Sequence, residues 1–488
     1  MLQYPRFTPY KEKLMFFGRQ DLLDEMSLLW TKRVSSLVTC RGRRRIGKST
    51  LVKHFAELSH ARFIKIEGLK PRKEYGNSDE LRIFASQLAA QTGCERTPPE
   101  DWLSAFIRLG KEIRPTEKTV VLLDEISWLG YYDPTFADTI KIAWDNYWKA
   151  NDRLVLVLCG SVSSWIKDNI IDNGEFVGRR SLDLVVNELP LSDCVGFWGS
   201  HAERMSPTEI FDVLSVTGGV PRYLEEVSPS LSSAENIRRL CFSPKGVLRE
   251  DFDDMFNDVI TNQPRFTCEV LRTLVNGRRN VSEIASALGI EKGGRLSDAL
   301  KRLEESGFVA CDASCDPETG EEIRERAYRI KDNYSRFYLK YVEPSKGAID
   351  GGAFDFGGLE RLDGWSSIMG LQFENLIVNN FRKLLPKLHL SGALITSAAP
   401  YRKVGRKGEC CQIDLLLQAK RFVYIVEVKR QREIGSEVID EVEQKRRRLK
   451  LPSGVTARIA LVYDGHLVPS VEAEGYFDSI VEAKTLLQ

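Results

Sequence analysis

Short, mostly apolar runs alternate with longer amphipathic stretches over the first third of the chain. The runs SLVTC (36–40), RFIKIEG (62–68), TVVLLDE (119–125) and LVLVLCGS (154–161) are rich in β-branched and leucine residues. Strands that are apolar on both faces are typical of parallel sheets covered by helices on each side. The pattern therefore predicts an α/β sheet between two layers of helices.

The pattern then changes. A helix-rich region runs to about residue 250, and 265–340 reads as a small helical module that ends in a hairpin. Within it, VSEIASALGI (281–290) predicts a helix stopped by Gly289, and RLSDALKRLEESGFVA (295–310) predicts a second. A strand, the acidic turn DPETG and the strand RAYRI follow. This order of elements predicts a winged helix.

The segment GAIDGGAFDFGG (347–358) has five glycines in twelve residues and breaks both periodicities, so it predicts a linker. Beyond it we expect a helix at about 366–385 and the adjacent strands QIDLLLQ and RFVYIVEVKR. A charged helix at 436–450 and the strand RIALVYD follow. These elements predict a second α/β unit.

Composition limits the classes of function. The 488 residues carry a formal net charge of +1, so any nucleic-acid contact must use local basic patches. No apolar run reaches the roughly 18 to 20 residues of a membrane span, and the first residues lack the apolar core of a secretory signal. Ten cysteines and five histidines are scattered without zinc-site spacing, which favours reduced thiols in a cytoplasm.

One segment fits the phosphate-loop pattern G-x-x-x-x-G-K-[ST] in full. It lies between the predicted strand SLVTC and the predicted helix STLVKHFAEL, so a chance glycine turn is the weaker interpretation. Loop N–H groups and the helix N-terminus would bind phosphate, Lys48 would reach the β- and γ-phosphates, and Ser49 would ligate Mg²⁺. The predicted ATP-binding residues are Gly42, Arg43, Arg44, Arg45, Ile46, Gly47, Lys48, Ser49 and Thr50.

The apolar strand that ends in Asp124 and Glu125 supplies the acids that such a loop needs. Asp124 would hold Mg²⁺ through its water shell, and Glu125 would orient and deprotonate the attacking water. Taken alone, two acids at a strand end often only cap a following helix.

Several further motifs resemble one family. They are Phe17-Gly18-Arg19, GRRRIGKST, LLDEISWL, CGSVSSWI, Gly178-Arg179-Arg180 and GGVPRY (218–223). Together they resemble prokaryotic AAA+-related ATPases, often grouped as archaeal-type ATPases, whose C-terminal part is restriction-endonuclease-like. The resemblance covers nearly the whole chain. It implies that Ser161 senses the γ-phosphate, that Arg179 or Arg180 is an arginine finger, and that the turn at Pro221 lies in a lid over the adenine. The alternatives are a solvated arginine pair and a plain helix stop.

A second group of acids lies in the C-terminal unit. If QIDLLLQ and RFVYIVEVKR form a hairpin that turns at about 419–421, Asp414 lies opposite Glu427, and Lys429 shares the face of Glu427. Two acids and a lysine in this arrangement are typical of Mg²⁺-dependent phosphodiesterases, in which the acids hold metal and the lysine polarises water. The resemblance adds Glu374 as a further acid and Gln444 as a later polar position. Ile413 replaces the usual proline. A solvated hairpin is the alternative.

Basic residues accompany both C-terminal modules. Arg295, Lys301 and Arg302 lie on the second helix of the predicted winged helix, mixed with Asp298, Glu304 and Glu305. DNA binding and simple packing are therefore equally open for that module. In the C-terminal unit, Arg402, Lys403, Arg406 and Lys407, with Lys445 to Arg448, suit a phosphate backbone or form a solvated face.

These observations predict an α/β protein with a P-loop NTPase core of the AAA+-like kind at 1–175 and a helical lid at 176–250. A winged helix would span 251–345, a linker 346–365 and a restriction-endonuclease-like domain 366–488. We expect ATP hydrolysis with Mg²⁺, coupled to a metal-dependent nuclease-like domain that acts on nucleic acid, DNA rather than RNA. We also expect a homo-oligomer in the cytoplasm without membrane contact. The alternatives are an ATP-dependent switch with a non-cleaving C-terminal domain, and a DNA-binding regulator.

Overall fold

The computed structural model of the protein describes residues 16–161, 163–260, 263–312, 315–323, 326–354, 357–403 and 411–488. The chain forms two compact units. The first consists of the described residues up to Cys40, Gly47–Gly160 and Asn173–Leu184. The second consists of Arg41–Ile46, Ser161–Asp172 and Val185–Gln488.

The first unit is built on a five-stranded sheet with the order β2-β3-β4-β1-β5. Its strands are β1 (Ser36–Arg41), β2 (Arg62–Glu67), β3 (Thr119–Asp124), β4 (Leu154–Gly160) and β5 (Arg180–Val185). The first four confirm the strands predicted from the apolar runs. β2, β3 and β4 are parallel neighbours, so their carboxyl ends meet at one edge of the sheet. Every residue of β3 and β4 is buried, as strands covered on both faces require.

Helices cover this sheet and pack against one another through aromatic side chains. Trp102 and Phe106 of one helix contact Phe136 of another at ring-centroid distances of 4.8 and 5.7 Å. Asp101 fixes the start of the first of these helices by accepting a 2.7 Å hydrogen bond from the Ser104 N–H. The helices of this unit are Gln20–Ser27, Lys48–Leu58, Asn77–Thr92, Trp102–Glu112, Ile126–Leu129 and Phe136–Ala143.

The second unit begins as a helical region. Its helices up to residue 260 are Ser163–Ile166, Leu191–Val195, Pro207–Thr217, Pro221–Leu224, Ser233–Cys241 and Val247–Val259. Pro207–Thr217 has a reciprocal cap, in which Glu209 N–H donates to Ser206 Oγ and the Ser206 N–H donates to the Glu209 carboxylate, both at 3.2 Å. Proline at the first helical position completes this start signal, because its missing N–H has no intrahelical partner to lose.

The middle of the unit combines short helices with a three-stranded antiparallel sheet of order β6-β8-β7. The elements in chain order are Pro264–Arg272, β6 (Arg279–Asn280), Val281–Leu288, Gly294–Glu305, β7 (Val309–Asp312) and β8 (Ala327–Ile330). The helix predicted to stop at Gly289 does so, with φ of 65° at that glycine. Further helices are Asn333–Phe337 and Glu343–Asp350.

The C-terminal part carries a mixed five-stranded sheet of order β13-β12-β11-β10-β9. Its strands are β9 (Ile395–Lys403), β10 (Cys411–Ala419), β11 (Phe422–Ile434), β12 (Thr456–Leu467) and β13 (Ser479–Glu482). The pairs β9/β10 and β10/β11 are antiparallel, whereas β11/β12 and β12/β13 are parallel. Its helices are Trp365–Asn379, Phe381–Leu384, Glu437–Arg448 and Pro469–Ala473. Val438 and Val442 pack against Ile413, Ile425 and Leu461 in the core.

The glycine-rich segment predicted as a linker is partly helical. Its first four residues end the helix Glu343–Asp350, because Ile349 packs inward and is 1% exposed. Residues 355–356 lie outside the described part. The division into five segments stays a prediction. The two compact units follow different boundaries, because residues 41–46 and 161–172 group with the second unit.

Candidate functional site

The phosphate-loop sequence runs from the end of β1 into the helix Lys48–Leu58. A Cβ at Gly42 would lie 2.3 Å from the Val186 carbonyl oxygen, so the loop passes this backbone at a distance that only glycine allows. Arg45 and Gly47 have φ of 65° and 83°. Lys48 is the first residue of the helix and is 7% exposed. The local backbone therefore has the tight turn followed by a helix N-terminus that phosphate binding needs.

Ser49 and Asp124 lie together in the first unit. Ser49 Oγ donates a 2.6 Å hydrogen bond to Asp124 Oδ2, and Lys65 Nζ is 3.0 Å from the same oxygen. Burial of Asp124 raises the pKa of its carboxyl, but the hydrogen bond from Ser49 and the charge of Lys65 outweigh burial and lower this pKa overall. Asp124 is therefore an ionised, buried carboxylate beside a hydroxyl, which is a donor set that suits Mg²⁺.

Sequence reasoning missed Lys65. It lies on β2, which pairs with β3 so that Glu67 is opposite Asp124. Its ammonium also contacts Glu67 Oε2 at 2.7 Å. The signal was a lysine between two buried isoleucines, Ile64 and Ile66, in an edge strand, and only the strand order brings it to Asp124.

Glu125 has a left-handed backbone conformation, with φ of 48° and ψ of 51°. This conformation is uncommon for a residue other than glycine or asparagine, and such strain is concentrated at functional sites. Its N–H donates to Asp124 Oδ1 at 3.2 Å, and the residue precedes the helix Ile126–Leu129. The two predicted acids are adjacent in sequence but differ in backbone conformation: Asp124 ends β3, whereas Glu125 is left-handed.

Three arginines of the loop bind carboxylates within the second unit. Arg43 donates to Asp332 and lies 3.6 Å from Glu188 Oε1, while Arg44 pairs with Asp258 and Arg45 with Asp251. Burial lowers the pKa of Arg43, but Asp332 more than compensates and raises it, so Arg43 is a buried cation. These three charges are matched by protein carboxylates.

The GGVPRY turn lies in this network. Pro221 begins the helix Pro221–Leu224. Tyr223 is fully buried, and its hydroxyl donates to Asp251 Oδ2 and accepts a 3.5 Å hydrogen bond from Arg43 Nη2. Gly219 N–H donates to Glu188 Oε2 at 3.1 Å. The turn is therefore tied to the loop arginines.

The other residues predicted for nucleotide binding and hydrolysis lie in separate settings. Ser161, directly after β4, is buried at 3% exposure, and Thr50 is exposed. Arg179 forms a two-pronged pair with Asp145 at 2.9 and 2.8 Å, and Arg180 pairs with Asp183. Both predicted finger arginines thus have carboxylate partners in their own unit.

In the C-terminal sheet the predicted register is correct. Leu415 pairs with Val426 and Leu416 with Ile425, so the same register sets Asp414 opposite Glu427. Asp414 Oδ2 accepts a 2.9 Å hydrogen bond from the Val428 N–H, and Lys429 Nζ lies 3.1 Å from Glu427 Oε1. The two acids and the lysine therefore share one corner of the sheet.

Lys445 was missed and completes this corner. From the helix Glu437–Arg448, its Nζ lies 2.5 Å from Glu427 Oε2 and 3.9 Å from Asp414 Oδ1. Gln444, the predicted polar position, is exposed. The sequence does show a basic run from Lys445 to Arg448. Which of its residues faces the sheet depends on the rotation of the helix about its axis, which the sequence pattern does not give.

The electrostatics of this corner are those of crowded carboxylates. Burial, reinforced by Glu374, raises the pKa of Asp414 to about 6. Burial and the charge of Asp414 also raise the pKa of Glu427, against the opposing effect of Lys445. Burial raises the pKa of Glu374, which lies on the helix Trp365–Asn379, despite three nearby arginines. A divalent cation would relieve this repulsion.

The two carboxylates are placed to bind a cation, but they offer few protein ligands. Asp414 and Glu427 both approach the same ammonium, so their oxygens converge on a point that a cation can occupy. However, no group of three or more His, Cys, Asp or Glu side chains suited to a metal occurs in the described part of the chain. Any metal here would therefore need water or substrate oxygens as further ligands.

The predicted basic clusters are largely paired. Arg402 makes two 2.8 Å hydrogen bonds to Glu283, Arg446 and Arg447 bind Glu443, and Lys403 lies 3.6 Å from Asp316. Arg406 and Lys407 lie outside the described residues. On the second helix of the middle module, Arg295 lies over the Phe266 ring at 3.8 Å. Glu305, at the end of the same helix, forms an ion pair with Lys167, whose Nζ lies 3.0 Å from Glu305 Oε1.

Comparison with solved structures gives the fold of a large part of the chain. Over 66% of this chain and 96% of the other, the structure is similar to the Walker-type ATPase PABY2304 of Pyrococcus abyssi, with a TM-score of 0.51 and 17% sequence identity. The chain contains a P-loop ATPase fold. The ORC2 protein of Aeropyrum pernix is more distant, with a TM-score of 0.41, 14% identity and 68% and 93% of the two chains covered.

The sequence comparisons are less specific. The chain is 24% identical to the uncharacterized protein MJECL04 of Methanocaldococcus jannaschii over 425 residues, which are 85% of this chain and 87% of that protein. No protein-family profile matches the chain. Across the described ranges, the helices are all too short or too polar to cross a lipid bilayer.

Proposed function

We propose that the protein is an AAA+-like, Mg²⁺-dependent ATPase. The observation that carries this proposal is the 2.6 Å hydrogen bond between Ser49 and Asp124, directly after a phosphate-loop sequence in a P-loop ATPase fold. In P-loop ATPases a Ser or Thr and a strand-end acid hold the metal together. Lys48 would bind the phosphates, and Glu125 would orient the attacking water.

The remaining nucleotide roles follow from position in the chain. Ser161 at the end of β4 would sense the γ-phosphate, and the turn at Pro221 would cover the adenine. Arg179 or Arg180 would act in trans in a homo-oligomer, which requires that its carboxylate pair in the same unit opens. A trans role therefore includes a switch between an internal and an intermolecular partner.

We propose further that the C-terminal sheet carries a nuclease-like site for nucleic acid, DNA in preference to RNA. Asp414 and Glu427 would hold a divalent metal, with support from Glu374, and Lys429 would position water. The convergence of both acids on one cation supports this assignment. The chemistry that such a metal supplies when bound is polarisation of the scissile phosphate and activation of water.

A chain of hydrogen bonds supports coupling between the two functions. Asp332, which binds Arg43, also caps the helix Asn333–Phe337 through the Ser335 N–H at 2.9 Å. The side chain of Asn333 donates to the Gln372 carbonyl at 3.0 Å, and Gln372 lies two residues before Glu374. A phosphate that displaced Arg43 from Asp332 would therefore alter contacts that continue to the helix of Glu374.

The second candidate function is an ATP-dependent switch whose C-terminal domain binds without cleaving. Lys445 favours it, because its ammonium already lies near both carboxylates, at the position where a metal would act. In this case the middle module, a proposed winged helix, would contribute binding or packing. A DNA-binding regulator that acts through that module alone is disfavoured, because Lys167 contacts the acidic end of its second helix.

One experiment separates the two candidates. Purified protein is incubated with Mg²⁺ or Mn²⁺, with and without ATP, and with single-stranded and duplex DNA and RNA. The nuclease proposal predicts cleavage that EDTA stops, that Asp414→Ala abolishes, and that Lys429→Ala slows by roughly 10² or more. Asp440→Ala, an exposed acid of the neighbouring helix, is the matched control.

The same preparations report on Lys445. Lys445→Met should tighten Mn²⁺ binding, measured by calorimetry, if the carboxylates form a metal site, since a competing ammonium is removed. ATP hydrolysis without cleavage under any condition, together with no Mn²⁺ binding by either protein, would make the non-cleaving switch the better assignment.

A further inference from the structure

A cavity of about 200 Å³ lies next to the carboxylate corner of the C-terminal sheet. Its lining includes Glu374 and four arginines from three different parts of the second unit: Arg278, Arg329, Arg336 and Arg402. One water needs only about 10–15 Å³, so the cavity has room for a polyatomic anion with some of its hydration. Gln412, two residues before Asp414, also lines it.

Arg278 is the unusual member of this group. Its Nη1 and Nη2 atoms are buried and have no hydrogen-bond partner among the described residues. Buried guanidinium nitrogens without partners are costly, and native proteins contain few such groups. Burial lowers the pKa of Arg278, while Glu374, Asp312 and Asp414 oppose that effect through their charge. The group is thus a cation near acids whose two terminal nitrogens are not hydrogen-bonded to them within the described part of the chain.

Two of the neighbouring arginines are paired with carboxylates, and in the described part of the chain one is not. Arg329 binds Asp312 at 3.0 Å and Arg402 binds Glu283, so both are neutralised locally. Arg336 donates only to neutral acceptors, namely the carbonyls of Leu371 and Ile330 and the amide of Gln372, and its Nε has no partner among the described residues. Arg278 and Arg336 together thus exceed the charge of Glu374.

A cavity with unused guanidinium donors and excess positive charge is suited to an oxyanion. Planar guanidinium groups are the side chains that best match phosphate geometry. Gln412, which lines the cavity, lies two residues before Asp414 on β10, so an anion in the cavity would lie beside whatever the carboxylate corner binds. The two sites together thus offer one position for a metal-bound phosphate and another for a second phosphate.

We infer that this cavity binds a phosphate group through Arg278 and Arg336. The phosphate belongs to a nucleic-acid strand that is held at the Asp414–Glu427 corner. The inference rests on the proposed nuclease-like function for its source of phosphate. Arg278 directly precedes β6 of the middle module, so the inference gives this module a role in phosphate binding. That role does not require a DNA-recognition helix. The module would complete the substrate site of the C-terminal sheet.

The first arm of the test measures strand binding. Affinity of a fluorescent, 5′-phosphorylated oligonucleotide is measured in EDTA, where no cleavage occurs, over a range of salt for wild type, Arg278→Gln and Arg278→Lys. Arg278→Gln should weaken binding by about tenfold and reduce the slope of log affinity against log salt by roughly one. Arg278→Lys should retain the slope. Arg265→Gln, an exposed arginine of the same module, is the control.

The second arm uses inorganic phosphate and thermal unfolding. Phosphate should raise the Tm of wild type and of Arg265→Gln but not that of Arg278→Gln. In the absence of phosphate, Arg278→Gln should unfold no earlier than wild type, because it removes a buried charge that has no partner. A purely structural Arg278 would instead give a lower Tm in both conditions.

The outcomes separate this inference from the proposed function. Phosphate-dependent stabilisation that needs Arg278, with no nucleic-acid binding by wild type, would support the phosphate site, assign it to free phosphate and reject the nuclease. Metal-dependent cleavage by wild type, with Arg278→Gln equal to wild type in cleavage, affinity, salt slope and phosphate response, would overturn the inference and leave the nuclease standing.

Discussion

Arg430 donates a 2.7 Å hydrogen bond to Asp212, and thereby joins the strand of Glu427 and Lys429 to the helix Pro207–Thr217. The same guanidinium lies 3.1 Å from Asp464 Oδ2 on β12. Asp464 in turn accepts from Thr208 Oγ1 at 3.1 Å. Two acids from distant parts of the second unit are thus held by one arginine, which is 11% exposed.

Removal of this arginine should be costly. Arg430→Met leaves Asp212 and Asp464 close together without a cation, which should lower the free energy of unfolding by roughly 3–5 kcal/mol. Asp212→Asn in addition should recover part of that loss, because one of the two stranded charges disappears. Urea denaturation measures both. Arg458→Met, an exposed arginine of β12, is the control and should change little; a similar loss there would remove the pair from its proposed role.

Two substitutions test the nucleotide site. Lys48→Ala should abolish or severely weaken ATP binding, because the phosphates lose the phosphate-loop lysine. Glu125→Gln should bind ATP normally but hydrolyse it slowly, because the water loses its base. Fluorescent-nucleotide binding and phosphate release are the measurements. Lys53→Ala, an exposed lysine of the same helix, serves as the control. Undiminished turnover by Glu125→Gln would exclude Glu125 as the base.

The pair between Arg179 and Asp145 gives a test of assembly. If Arg179 acts in trans, Arg179→Ala should lower kcat by at least about 10², while Asp145→Asn should preserve it, because only the arginine reaches the neighbouring nucleotide. Activity per chain should also rise with protein concentration. A structural pair would instead make both variants lose similar activity and stability. Light scattering that finds a fully active monomer would reject the trans role.

Asp414 should make stability depend on pH in an unusual direction. Its folded-state pKa of about 6 lies above the roughly 3.9 of an unfolded aspartate, so the folded state is penalised where the carboxyl is ionised. Asp414→Asn should therefore be more stable than wild type at pH 7–8 in EDTA, and this gain should shrink as the pH falls from 6 towards 4. Denaturant titrations across that range measure it. A constant difference would show that the carboxyl is not perturbed.

Strands were predictable from sequence where burial is complete. β3 and β4 are buried on both faces and appear as uninterrupted apolar runs. The strands that the pattern does not reveal, β5, β6, β9 and β13, each lie at the edge of a sheet, where one side of the strand has no neighbour and polar residues are tolerated. In β5, for example, Leu184 is the only buried residue.

The candidate site was predictable where chemistry follows local spacing. Ser49, Asp124, Asp414, Glu427 and Lys429 depend only on motifs and on one hairpin register, and each group came together. Lys65, Arg278 and Lys445 depend on strand order, on packing of a separate module and on helix rotation. Such long-range information is absent from hydrophobic periodicity.

The buried amide of Gln372 has a consequence for local opening. Its Nε2 donates to the Ser215 carbonyl at 2.8 Å and to the Asn333 carbonyl at 2.7 Å, so it joins three helical segments that are far apart in sequence. None of the three can separate without exposing unpaired polar groups. The backbone amide protons of Pro207–Thr217 and Trp365–Asn379 should therefore exchange with solvent deuterium through one shared opening, at similar rates and with the same denaturant dependence.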